Sequence, residues 1–344
     1  MGGSKMKSAN FSKYLTEYLE HYLPELKSAS ENTLATYSDT FCYFLTYCQD
    51  VESVKIEKMS VSDLNAGLVE RYLQWMETNQ GNSIATRNNR LATIHSFVRY
   101  LQPREPKLLL NFQQILAIPT KKAPQKTVQP LSKESVGILL RQPDTSTLQG
   151  RRDATVLCVL YDTAARVSEL CGLRIEDVRF ENPPHIRITG KGMKVRTVPI
   201  LPETAKNLKS YLIETHRLKP ECYHMPLFLN RDGEAFTRSG IRYILNKYVR
   251  MAHEVDESIP ESLNPHRMRH TKAMHLYEAV DDLIDVRDFL GHSDIKTTSI
   301  YARSSLAKKK RAMEKISDSP VPELASWQQD KNTLEWLKNF GRKK

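Results

Sequence analysis

Apolar residues recur at Phe11, Tyr14, Leu15, Tyr18, Leu19, Tyr22 and Leu23 before Pro24, the one-sided spacing of a 3.6-residue helical period. A second helix is expected from Ser30, whose hydroxyl suits a cap, through Leu34, Tyr37, Phe41, Phe44 and Leu45. A third carries Leu64, Leu68, Tyr72, Leu73 and Met76. The fourth runs from about Asn82 with Ile84, Leu91, Ile94, Val98 and Leu101. Joined by short connections, these helices predict a helical bundle over 8–118.

Pro119 to Pro130 (PTKKAPQKTVQP) has three prolines, three lysines and no apolar period, which reads as an extended interdomain linker. Beyond it the pattern is mixed. Helical spacing covers 132–142, 147–163, 203–217, 237–253, 266–278 and 283–290, and strand-like pieces fall at His185–Thr189, Lys194–Ile200 and Leu227–Leu229. Gly190-Lys191-Gly192 separates the first two strands as a tight hairpin would. The expectation is a mainly α chain with a small antiparallel β-sheet, its second domain α+β over 131–316. A C-terminal tail, 317–344, carries Leu324, Trp327, Leu334, Trp336, Leu337 and Phe340, an apolar set that needs a surface to dock on, in its own subunit or a neighbour's.

Composition changes the picture in one respect. Hydrophobic content of 40% and charged content of 26% are ordinary, but a formal net charge of +11 over 344 residues suits a polyanionic partner. No apolar run has the length of a membrane span and the first residues lack a signal-peptide pattern, so nucleic acid is favoured over a membrane. Five irregularly spaced cysteines point to a reducing, cytoplasmic setting, and the spacing of His216, Cys222 and His224 matches no standard zinc pattern. Candidate DNA contacts are Arg87 and Arg90 on the polar face of the fourth helix, and Lys121, Lys122 and Lys126 in the linker. Arg238 and Arg242 join them at the start of the 237–253 helix.

Four segments of the second domain carry candidate chemistry. Arg166 lies in the largely apolar stretch 163–170, where a guanidinium must be paired or aimed at an anion, and Glu169 is spaced to hold it. Lys191 sits at the hairpin tip. In His266-Arg267-Met268-Arg269-His270, after Asn264-Pro265, His266 and Arg269 share one helical face. Lastly, His292 in Leu290-Gly291-His292 precedes Tyr301 by nine residues. Taken singly, each has a structural explanation: an ion pair, a solvated turn lysine, a core tyrosine.

Jointly they resemble the tyrosine recombinase (phage integrase) family, whose signature R…K…HxxR…[HW]…Y is filled here by Arg166, Lys191, His266, Arg269, His292 and Tyr301. The resemblance is strong over 131–316, and the helical region before it matches the family's core-binding domain in size and place. It implies a clamp of two domains on double-stranded DNA at a specific site, a homotetramer, and accessory recombination proteins in some systems. Tyr301 is the implied nucleophile, forming a 3′-phosphotyrosyl link, with no metal or other cofactor. The sequence accords, having neither a Walker-type loop nor an acidic cluster suited to a two-metal site.

Within that resemblance, only about ten residues precede the first helix, which disfavours an added arm-binding domain and favours a mobile-element recombinase or a chromosome-dimer resolvase. The alternatives are a type IB topoisomerase-like nicking-closing enzyme and a DNA-binding regulator with a dead site. The regulator would lack a catalytic residue, and none of the six is missing.

Overall fold

The computed structural model describes residues 10–123, 129–280 and 282–291, the side chain of Lys191 excepted. The chain divides into two compact units, Met1–Lys126 and Thr127–Lys344.

In the first unit α1 (Phe11–Glu17) starts at Asn10, whose side-chain oxygen accepts from the nitrogens of Ser12 and Lys13. The chain then winds wider, as a π-helix over Tyr18–Leu26 that contains Pro24. The sequence pattern ends the helix at that proline; the wider winding, sustained here over nine residues, carries it through instead. Helices α2 (Glu31–Asp50), α3 (Ala66–Thr78) and α4 (Ile84–Leu101) are capped by Ser30, Asn65 and Ser83, each accepting from a backbone nitrogen of its first turn. A further helix, α5 (Leu109–Leu116), escapes the sequence reading because only Phe112 and Ile115 of its eight residues are buried, too few to show a period. The core is aromatic, with Phe11, Tyr18, Phe44, Tyr72, Phe97, Tyr100 and Phe112 all almost wholly buried. Each contributes roughly 1.5–3 kcal/mol or more of transfer free energy.

The second unit begins with α6 (Lys133–Leu140), α7 (Leu148–Thr163) and the short α8 (Val167–Cys171). Then come β1 (Val178–Arg179), β2 (His185–Thr189) and β3 (Val195–Pro199), which form one antiparallel sheet in that order. Helices α9 (Pro202–Glu214), α10 (Arg238–Val255), α11 (Pro265–Val280) and α12 (Leu283–Leu290) complete it. Thr189 pairs with Val195, so the hairpin tip spans 190–194, and Ile186, Ile188 and Val198 face the main core. Between Leu227 and Leu229 no strand of the sheet forms, contrary to the expectation; isolated bridges flank it instead, Arg174 to Pro226 and Leu229 to Ala235. The reason lies in Arg217, a buried side chain that donates to the carbonyls of Pro226 and Leu227 and so takes the acceptors a neighbouring strand would need. A small separate core of Ala164, Ala273, Met274, Val286 and Leu290 lies where α7, α11 and α12 meet. Among the described residues no helix is long and apolar enough to cross a membrane.

Candidate active site

Helix α7 ends on Ala164, a buried residue held in the left-handed region at φ 46°. A side chain there carries strain of order 1 kcal/mol. The kink reverses the chain within two residues and makes Arg166 the N-cap of α8. Three residues on, the Glu169 carboxylate turns back, accepting from the Arg166 backbone nitrogen at 2.8 Å and from its Nη1 at 2.7 Å.

Two more arginines reach the same carboxylate. Arg196 on β3 donates Nη1 and Nη2 to it at 3.2 and 2.8 Å, and Arg269 on α11 brings Nη1 within 3.8 Å. Burial alone would raise the Glu169 carboxyl, but the bonds from Arg196 and Arg166 prevail and hold it at about 2. Exposure separates the three cations: 40% of the Arg166 side chain is open, 10% of Arg196 and 1% of Arg269. Arg269 donates Nη1 to the Ala164 carbonyl and Nη2 to the Leu290 carbonyl, both at 2.6 Å. It thereby joins the ends of α7 and α12 beneath the surface.

His266, in the first turn of α11, has its imidazole held below the ordinary value by desolvation and by the neighbouring charges of Arg269 and Arg166. It is neutral at neutral pH and suited to accept a proton. Of the other expected site residues, His292 and Tyr301 lie outside the described residues, as do the whole of the tail 317–344 and Lys126. For Lys191 only the backbone is described, in the turn between β2 and β3, where Gly192 takes φ 72°. The structure therefore brings together Arg166, Glu169, His266 and Arg269. Arg196 was not foreseen. Its signal was present, however: it alternates with the buried Val198 on β3, and an inward-facing arginine on a strand demands a partner.

The expected DNA contacts fare unevenly. Arg87 is not on an open face: it is buried at 6% exposure, donates to the Pro119 carbonyl at 2.9 Å and faces Glu77 at 3.5 Å. A helix whose polar face covers the following chain segment explains the difference, since Asn88 also exchanges bonds with the Lys121 backbone. Arg90 bonds to the Tyr72 hydroxyl and stacks 3.9 Å from the Tyr43 ring centre. Lys121 is exposed and paired with Glu77 at 2.9 Å; Lys122, Arg238 and Arg242 are also exposed.

A second set of bonds fixes the start of this unit to α11. Arg267 donates to the Gln129 carbonyl at 3.2 Å and the Leu131 nitrogen donates to Thr271 at 3.1 Å. His275 meets the Leu131 carbonyl through Nε2 at 2.9 Å and the Tyr161 hydroxyl through Nδ1 at 2.8 Å.

Residues 129–308 match the phage integrase family, and residues 15–105 match the phage integrase N-terminal SAM-like domain. The chain belongs to the phage integrase family, the tyrosine recombinases. It is 34% identical over 312 residues to a protein of Sinorhizobium fredii named as the integrase/recombinase y4rC, covering 90% of this chain and 93% of that one. The tyrosine recombinase XerC of Chlamydia caviae is 32% identical, covering 85% of this chain and 95% of its own length. Among solved structures, the XerH site-specific recombinase bound to a palindromic difH substrate shares the fold with a TM-score of 0.65 at 22% identity, covering 91% of each chain. The Tn1549 transposon integrase in complex with transposon right-end DNA does so with a TM-score of 0.66 at 19% identity, over 88% of this chain and 99% of that one.

Proposed function

We propose that the chain cuts and rejoins double-stranded DNA at a specific site, with Tyr301 as the nucleophile, in the service of a mobile genetic element. The observation that carries this reading is the convergence of Arg166 and Arg269 on Glu169, with His266 close enough to feel both guanidinium charges, in a basic protein.

The phenol oxygen of Tyr301 attacks phosphorus, forming a phosphotyrosyl ester at the 3′ side and breaking the bond to the 5′ oxygen. His266 accepts the phenolic proton and Lys191 supplies one to the departing oxygen, so each proton has a donor and an acceptor. Arg166, the most open of the arginines, donates to the nonbridging oxygens as charge grows on them. His292 adds a further bond. Arg269 acts mainly through its charge, from a dry layer where attraction to the phosphate is little screened. The phosphotyrosyl link keeps the energy of the broken ester, and a 5′-hydroxyl from another strand attacks it in the reverse sense without nucleotide hydrolysis. Exchange between two sites calls for four active sites, hence a tetramer, with accessory proteins where direction must be set. XerH in complex with difH and the Tn1549 integrase with transposon-end DNA support DNA as the partner.

The test is a site-bearing duplex nicked so that the short 5′-hydroxyl fragment escapes after cleavage. Wild-type protein accumulates as a denaturation-resistant DNA adduct; Tyr301→Phe binds equally and forms none. An adduct with the Phe variant moves the nucleophile elsewhere. No adduct with wild type leaves a DNA-binding protein, and relaxation of supercoils by a monomer without strand exchange defines a topoisomerase.

A further inference from the structure

We infer that Arg196 is a positioning residue of the active site, clamping Glu169 onto Arg166 and fixing the two glycine turns from which Lys191 and His292 follow in the chain. The inference rests on the functional reading above and deepens it.

Arg196 does three things at once. It holds Glu169 with both Nη atoms, at 3.2 and 2.8 Å, so the carboxylate cannot swing away from Arg166. It lies against Gly291: a methyl group built there would stand 2.9 Å from Cδ of Arg196 and 3.3 Å from its Nη1. It also lies near Gly190, where a methyl group would stand 3.2 Å from Glu169 Oε1 and 3.6 Å from Arg196 Nη1. The guanidinium–carboxylate pair therefore lies between two glycines, Gly190, where an added methyl would be tight, and Gly291, where it would clash and the backbone is left-handed. One opens the hairpin turn of residues 190–194, and the other is the left-handed cap of α12 at φ 63°.

This arrangement fits a positioning role better than a general stabilising one. A buried ion pair is weak grounds for stability, and the Nε of Arg196 is buried without a hydrogen-bond partner among the described residues, a poor arrangement if stability were its purpose. What a planar fork supplies here is geometry: two parallel bonds fix the orientation of a plane, and the glycine turns rest against that plane. Misplacement of a reacting group by about 1 Å is enough to slow a reaction about 10²-fold.

The experiment compares single-turnover cleavage of two nicked duplexes, one with an ordinary scissile phosphate and one with sulfur in place of the bridging 5′ oxygen. A thiolate leaves without needing a proton, so the sulfur duplex reports whether proton delivery limits the rate. Arg196→Met should bind the site with wild-type affinity yet cleave the ordinary duplex about 10²-fold more slowly, and recover most of that loss on the sulfur duplex. Arg196→Lys, which keeps charge without the fork, should fall between. Gly190→Ala keeps Arg196 and has a backbone, φ −99°, open to alanine; it should show the same sulfur-sensitive loss to a smaller degree, and it serves if Arg196→Met does not fold. Wild-type cleavage by Arg196→Met overturns the inference, as does equal slowing on both duplexes where sulfur rescues Lys191→Ala. Lys191→Ala is the control that separates the two readings. If sulfur rescues it but not the Arg196 variants, the positioning role falls while the acid assignment stands. If sulfur does not rescue it, the acid assignment falls, and the split between binding and cleavage alone decides for or against Arg196.

Discussion

Glu169 accepts from Arg166 twice, from its backbone nitrogen at 2.8 Å and from Nη1 at 2.7 Å, so one carboxylate both caps α8 and aims the guanidinium. Its carboxyl sits at about 2 in the folded chain against an ordinary 4.5, and only 5% of the side chain is exposed. The depressed value means that its ionised form stabilises the fold. That stability is fully present above about pH 4.5 and is lost as pH falls towards 2. The shift corresponds to about 3 kcal/mol. Urea unfolding from pH 7 down to 3 should show wild type losing stability across this window, and Glu169→Gln should be less stable at pH 7 by a similar amount while lacking that part of the acid loss. An unchanged midpoint for Glu169→Gln at pH 7 would mean the three arginines do not depend on its charge.

Because His266 is held below its ordinary value of 6.5, its imidazole takes up a proton at lower pH than a free histidine does. A base must be neutral to act, so the cleavage rate should fall on the acid side, with its midpoint below the ordinary histidine value. His266→Gln should lower the plateau about 10²–10⁴-fold, the usual worth of a positioned base, and remove that acid limb. A limb that persists in the variant belongs to another group. Arg166→Met should move the limb upward slightly, since burial, the larger cause, remains.

Salt dependence separates contact from scaffold among the basic residues. Arg242 is exposed on α10, and Arg242→Gln should weaken binding to all sequences alike and reduce the slope of log K against log salt by about 1. Arg87→Gln should leave the slope unchanged and lower the stability of the first unit by about 1–3 kcal/mol, because it removes the charged, buried guanidinium that donates to the Pro119 carbonyl and faces Glu77. Filter binding at several salt concentrations, paired with thermal unfolding, reads both.

Gly150 stands in the first turn of α7 with the Asp144 carbonyl oxygen against it; a methyl group there would lie 1.8 Å from that oxygen. Gly150→Ala raises helix propensity by about 1 kcal/mol and would be mildly stabilising on an open helix. Here the backbone must move, and the expected result is a loss of about 2–4 kcal/mol in denaturant unfolding. A neutral or stabilising outcome would show that the 144–150 turn yields freely.

The long helices were legible because their apolar faces repeat over many residues, as in α2 and α10, and strand β2 because His185–Thr189 alternates against a glycine turn. What was lost is what periodicity does not encode. Pro24 sits inside a helix because the winding widens, and Leu227–Leu229 is apolar for the core while Arg217 takes the Leu227 carbonyl and Arg152 that of Leu229. Arg87 reads as a solvated position on its own helix; the segment covering it lies some thirty residues away in sequence, with the bond itself spanning 32. The pairing of Arg166 with Glu169 follows from their spacing, because a cap and its third residue are neighbours by local geometry. The part of Arg196 does not, since Glu169 lies 27 residues away in sequence and Gly291 stands at the far end of α12.

Arg267, Thr271 and His275 recur every four residues, so they line one side of α11 and grip the peptide from Gln129 to Leu131 like successive rungs. The same helix bears His266 and Arg269. A pull on the peptide at Gln129 is thus borne by the very rod that carries the proposed proton acceptor and the most buried of the three cations.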